Sequence, residues 1–164
     1  MSKNKPTIRQ LELLCRHIIE LEQADMTENH AIRTLELVAD IYAKTHKGGK
    51  ASVHKAKDVL ENQWSLAALE AKRNNPSVAD GAFLRVEHGT PRRTFARKVR
   101  ELHAKGALNE EAMKVLADNY WHLAVLTHAE DRLLRRKDIH ESPQERWAAV
   151  GIKFSDQSPN APIS

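Results

Sequence analysis

A chain of 164 residues is long enough to close one hydrophobic core, with or without an arm. Its 29% charged and 5% aromatic residues suit a helix-rich protein with an aliphatic core and argue against an all-β one. No apolar run approaches the roughly 20 residues that span a bilayer. Met1-Ser2-Lys3-Asn4-Lys5-Pro6 offers no apolar leader, and the lone Cys15 cannot form an internal disulfide, so a cytoplasmic protein with no membrane partner is expected.

Thr7 can cap a first helix to about Gln23, burying Ile8, Leu11, Leu14, Cys15, Ile18 and Leu21. Thr27 can cap a second, with Ile32, Leu35, Val38, Ala39 and Tyr42 on one stripe and Gly48-Gly49 as its stop; the pair should form an antiparallel hairpin. A third helix is predicted from Ser52, with Val53, Ala56, Leu60, Trp64, Ala67 and Ala71 at helical spacing, ending at Asn74-Asn75-Pro76. Residues 82–87 are too short for a helix and sit between glycines, so they read as a strand. Thr90-Pro91, an N-cap with proline at the first helical position, opens a helix to about Lys105 with Phe95, Val99 and Leu102 inward. Asn109 starts a short helix carrying Ala112, Val115 and Leu116. Residues 122–127 read as a second strand, followed by a helix from Thr127, where Glu130 completes a capping box, to about Lys137. One continuous helix over residues 110–136 is the alternative. Ser142-Pro143-Gln144-Glu145 begins a last helix that Gly151 closes, and the proline-bearing tail from Ser155 is expected to fray.

The predicted fold is therefore mainly α, a helical hairpin plus further helices, with a small two-stranded element formed by residues 82–87 and 122–127. Residues 1–75 make a helical N-terminal half and 76–154 a C-terminal half of one compact domain. Trp64, Trp121 and Trp147 read as core anchors.

Charge is uneven along the chain. Residues 1–40 carry a net −2, residues 41–60 a net +4 and residues 88–107 a net +5, while Arg132, Arg135, Arg136 and Lys137 add a third basic block. Folded together, these blocks would make a phosphate-facing surface. Arg92, Arg93, Arg97, Lys98, Arg132, Arg135, Arg136, Lys47, Lys50 and Lys55 are the candidate contacts to DNA or RNA, or to a nucleoprotein complex. Solvated helix faces would show the same pattern.

Glu87 and His88 close the first predicted strand, and His128 and Asp131 follow the second. Imidazole and carboxylate are ordinary ligands of divalent metals, and a neutral histidine can deprotonate an attacking water. If the strands pair antiparallel with the next helix across them, both clusters are expected at one end of the hairpin. Val86-Glu87-His88-Gly89-Thr90-Pro91 then resembles the opening element of the HNH, or ββα-metal, nuclease superfamily, and Leu123-Ala124-Val125-Leu126-Thr127-His128 resembles its closing strand and helix start. The resemblance spans residues 82–152. It implies a metal-dependent phosphodiesterase with His88 as general base, Glu87 beside it, and His128 and Asp131 as ligands of a divalent metal.

The match departs from that family in three ways: no central asparagine is evident, a long helical insertion separates the strands, and the bracing cysteine pairs are absent. The residues also have plainer readings. Glu87 can pair with Arg92 or Arg93, and Asp131 suits a helix N-terminus through the macrodipole alone, whereas Gly89, which lets the backbone turn sharply beside His88, favours a functional role for that histidine. The primary expectation is a small basic helical binding protein of the kind found in phages and mobile elements, with the HNH-like endonuclease as the alternative.

Overall fold

Two five-residue strands and seven α-helices make up the regular structure of the computed structural model, which describes residues 7–46, 56–134 and 140–162 without the side chains of 39–46. Among the described residues no helix is long and apolar enough to cross a membrane.

Helix α1 (Ile8–Gln23) starts at a reciprocal capping box between Thr7 and Gln10. Helix α2 (Glu28–His46) follows Thr27, whose Oγ1 accepts from His30 N at 3.3 Å. The two form the expected hairpin, but the buried stripe of α1 is Leu11, Cys15, Ile18 and Ile19, while Leu14 and Leu21 are 46% and 41% exposed. The reason is electrostatic as well as apolar. Glu12 is buried against Arg16, and Arg16 Nη2 donates to Leu108 O at 2.7 Å, which turns this edge of α1 toward the later helices. Burial pushes the Cys15 thiol up to about 12, with the Glu12 carboxylate adding to the shift, so the thiol is neutral and inert.

The third predicted helix is corrected. Ser52 and Val53 lie outside the described residues, and from Ala56 the chain makes two single 3₁₀ turns, Ala56–Asp58 and Glu61–Gln63, before it extends at Trp64. Helix α3 spans only Leu66–Asn74, with Ser65 Oγ as its cap. The spacing of Ala56, Leu60 and Trp64 mimicked a helix, yet Leu60 points to solvent. Trp64 lies alongside Val125 in a parallel sense, and Ser65 N donates to Val125 O at 3.0 Å.

Strand β1 (Leu84–His88) pairs antiparallel with β2 (Leu123–Thr127), Leu84 opposite Thr127 and His88 opposite Leu123. Between them run α4 (Arg92–Ala104) and α5 (Glu110–Tyr120), and after β2 come α6 (His128–Leu133) and α7 (Pro143–Ala149). A continuous helix over 110–136 is thereby excluded. The N-cap of α4 is Pro91 rather than Thr90, and α6 ends at Leu133, short of the predicted Lys137. The Thr127–Glu130 capping box is present, and Ser65 Oγ also donates to Glu130 Oε2 at 2.8 Å, tying the start of α3 to the start of α6.

Both faces of β2 are buried. Leu123 and Val125 join the main core with Leu35, Phe95, Val99, Met113 and Trp121; Ala124 and Leu126 face a second cluster with Trp147, Ile152 and Phe154. The chain bends at Gly89 without a left-handed φ, which among the described glycines belongs to Gly106 and Gly151. A Cβ on Gly89 would lie 2.3 Å from Pro143 Cβ, so the residue is there to let α7 approach. As far as Pro162 the tail does not fray: Asn160, 1% exposed, donates through Nδ2 to Leu123 O at 2.8 Å and to Gln63 O at 3.3 Å.

Leu126→Ala should cost about 2–5 kcal/mol in denaturant unfolding. Leu14→Ala should stay within about 0.5 kcal/mol. Equal losses would restore the stripe expected from periodicity.

Candidate nucleic-acid interface

The candidate surface begins at α4, where Phe95, Ala96 and Val99 are buried. Helical geometry then turns Arg92, Arg93 and Arg97 outward. They line one wall of a groove of about 700 Å³ that also takes in Glu36, Arg85, Glu87, His88, Asp131 and Arg146. Five arginines and three carboxylates thus line it. Neither Arg93 nor Arg97 forms an ion pair with a described carboxylate.

The other basic candidates divide. Lys98 is withdrawn to the opposite side of α4, its ammonium 4.6 Å from the centroid of the Tyr120 ring. Arg100 is held by Glu22 at 2.6 Å and Glu28 at 2.9 Å, and its pKa is raised chiefly by the hydrogen bond to Glu22. It locks α4 to the α1–α2 turn and is no ligand contact. Arg132 is exposed on α6, away from the groove lining. Arg135, Arg136, Lys47, Lys50 and Lys55 lie outside the described residues.

The expected convergence of the two acid–histidine clusters is corrected by the strand register. In an antiparallel pair the end of β1 meets the start of β2, so His88 lies beside Leu123 while His128 follows Thr127, opposite Leu84. The separation along the sheet is roughly 13 Å, about four residue steps of strand. Ligating atoms about 2 Å from one metal must lie within roughly 4 Å of each other. Among the described residues no trio of His, Cys, Asp and Glu could hold a metal ion. His128 N donates to Phe83 O at 3.0 Å, and Asp131 sits 3.5 Å from Arg85 Nε, so both have places in the hairpin's own structure. The residues do not fit the metal centre that the nuclease resemblance implies.

Glu87 pairs with neither Arg92 nor Arg93 but with Arg146, at 2.8 Å. Arg146, on α7, also donates through Nη1 to His88 O at 3.3 Å and Gly89 O at 3.1 Å. Its guanidinium is buried beneath the groove, and its Nε has no acceptor. His88 is half-buried between the groove and an enclosed space of about 10 Å³ beside Trp121 and His122, room for at most one water. Sequence reasoning missed Arg146 because nothing local in Pro143–Ala149 marks a buried arginine, and its carboxylate partner is 59 residues away.

No family model, curated protein or solved structure matches this chain.

Glu87→Ala leaves the buried Arg146 charge without its carboxylate and should lower stability by about 3 kcal/mol. A double-mutant cycle with Arg146→Met checks that the loss belongs to the pair. Saturating Mg²⁺, Mn²⁺ or Zn²⁺ should leave Tm unchanged, whereas a metal at about 100 times its Kd would add about 2.7 kcal/mol.

Proposed function

We propose that the chain is a small basic helical protein that binds nucleic acid, free or within a nucleoprotein complex, through the α4 groove. The observation that carries this reading is the wall formed by Arg92, Arg93 and Arg97, exposed on a helix anchored from behind by Phe95, Ala96 and Val99. Guanidinium forks suit phosphate because they offer planar, bidentate donors and stay charged at every physiological pH. The mixed lining favours a short stretch of backbone over a long one. Glu36, Glu87 and Asp131 repel phosphates that run past the arginine wall. Such an interface grips the sugar–phosphate chain and carries no base code of its own. The nuclease alternative is disfavoured by the opposite-end placement of His88 and His128.

The test is fluorescence anisotropy of labelled single-stranded and duplex oligonucleotides across a salt series. The slope of log Kd against log salt should correspond to about two or three neutralised phosphates. Changing Arg92, Arg93 and Arg97 together to Gln should flatten it by about 0.7–0.9 for each phosphate no longer gripped. Binding indifferent to salt, or unchanged in the triple variant, would rule the groove out as the binding surface.

A further inference from the structure

Helix α4 is 13 residues long, has no acidic residue in its first turn, and receives no side-chain bond at its N-cap, Pro91. Thr94 N and Phe95 N both donate to Pro91 O, which leaves the N–H of Arg93 without a backbone acceptor among the described residues. An uncapped helix start presents partial positive charge to whatever lies before it. Here it opens into the arginine groove, and a second, independent feature points to the same place.

That feature is Arg146. It is 6% exposed, its Nη1 is shared among Glu87, His88 O and Gly89 O, and its Nε is buried with no acceptor. A buried guanidinium with unused donors lining a groove is incomplete until an acceptor arrives. Gly89 O, which fixes Arg146, is two residues before the N-cap of α4, so the guanidinium and the helix start belong to one corner.

We propose that this corner is a pocket for one terminal phosphate, a phosphomonoester, held by Arg93 N–H, the Arg93 and Arg97 guanidiniums and Arg146. Such a pocket rests on the groove being the binding surface and adds what the groove selects. A phosphomonoester carries about −1.5 to −2 charge and three acceptor oxygens, against a single charge on an internal phosphodiester. Arg85 is paired with Asp131 and Arg146 with Glu87, whereas Arg93 and Arg97 pair with no described carboxylate, and these two cations match the larger charge. Glu87 is held at the corner itself by Arg146, while Glu36 and the Asp131 paired with Arg85 also line the groove and disfavour a second phosphate beyond the first. A strand end satisfies both conditions, and so does a free phosphate.

The test compares single strands of about 12 nucleotides phosphorylated at the 5′ end, at the 3′ end or at neither, together with inorganic phosphate. A phosphorylated end should tighten binding by roughly tenfold or more, the value of one charge-assisted hydrogen bond. Inorganic phosphate should compete and should shift the Arg93 backbone amide in ¹H–¹⁵N spectra. Arg97→Gln should remove the preference for the phosphorylated end. Arg146→Lys, which keeps the charge and loses the fork, should weaken it, with folding checked by the unperturbed remainder of the spectrum. Equal affinity for all three strands with a normal salt slope would overturn the pocket and leave the groove reading standing. An Arg93 shift with inorganic phosphate but no binding of any strand would support the pocket and overturn the nucleic-acid reading. No shift and no end preference would overturn the pocket outright.

Discussion

Five residues, Leu123–Thr127, hold this molecule together because their strand has no solvent-facing side. Leu123 and Val125 close the helical core, and Ala124 and Leu126 close the smaller cluster around Trp147. The two edges of β2 are also occupied. β1 takes one, and the Trp64–Ser65 segment with the Asn160 side chain takes carbonyls on the other. A strand so enclosed has no edge left to template aggregation. Each large side chain it buries is worth about 1.5–3 kcal/mol. Segments from four parts of the chain converge on it: residues 63–65, β1, α7 and the tail.

What was legible in the sequence was what is decided locally. Thr7, Thr27, Asn109, Thr127 and Ser142 all start helices because a side-chain oxygen capping an N–H three residues on is a short-range event. The strands were legible because each is too short for a helix, β1 lying between glycines and β2 being an apolar run. Residues 56–65 were not, since Ala56, Leu60 and Trp64 satisfy a helical period while the interaction that decides their conformation is with Val125, far along the chain. The tail misled in the same way. Its prolines suggest fraying, and Asn160 overrides them by satisfying the Leu123 carbonyl of β2 and the Gln63 carbonyl, which would otherwise be buried unpaired.

The site divides along the same line. The outward arginines of α4 followed from periodicity once Phe95 and Val99 were assigned inward. Lys98 and Arg100 escaped, because Tyr120 and Glu22 reach them from other elements. Asp131 does share a groove with Glu87 and His88, but the convergence of His128 with them failed on a rule of strand pairing alone. Residues that follow two antiparallel strands must lie at opposite ends of the pair. Gly89 meets two demands at once. It suggested a sharp turn beside a functional histidine, and the chain does bend there, while its hydrogen atom is the clearance that lets Pro143 pack.

That clearance brings α7 close enough for Arg146 to reach under the groove, and the choice of arginine there has a physical reason. A lysine could neutralise Glu87, but its ammonium is a point charge that would be fully engaged by that carboxylate and the two carbonyls. The arginine fork commits Nη1 to those three acceptors and still has Nε, buried and without an acceptor, and Nη2 pointing along other edges of the same plane. Burying a charge this way carries a desolvation penalty that a single carboxylate offsets only in part. A methionine of similar volume would pack the same corner without that penalty. Stability alone therefore does not account for a buried cation at this position, and the residue lines the groove in which the proposed phosphate would sit.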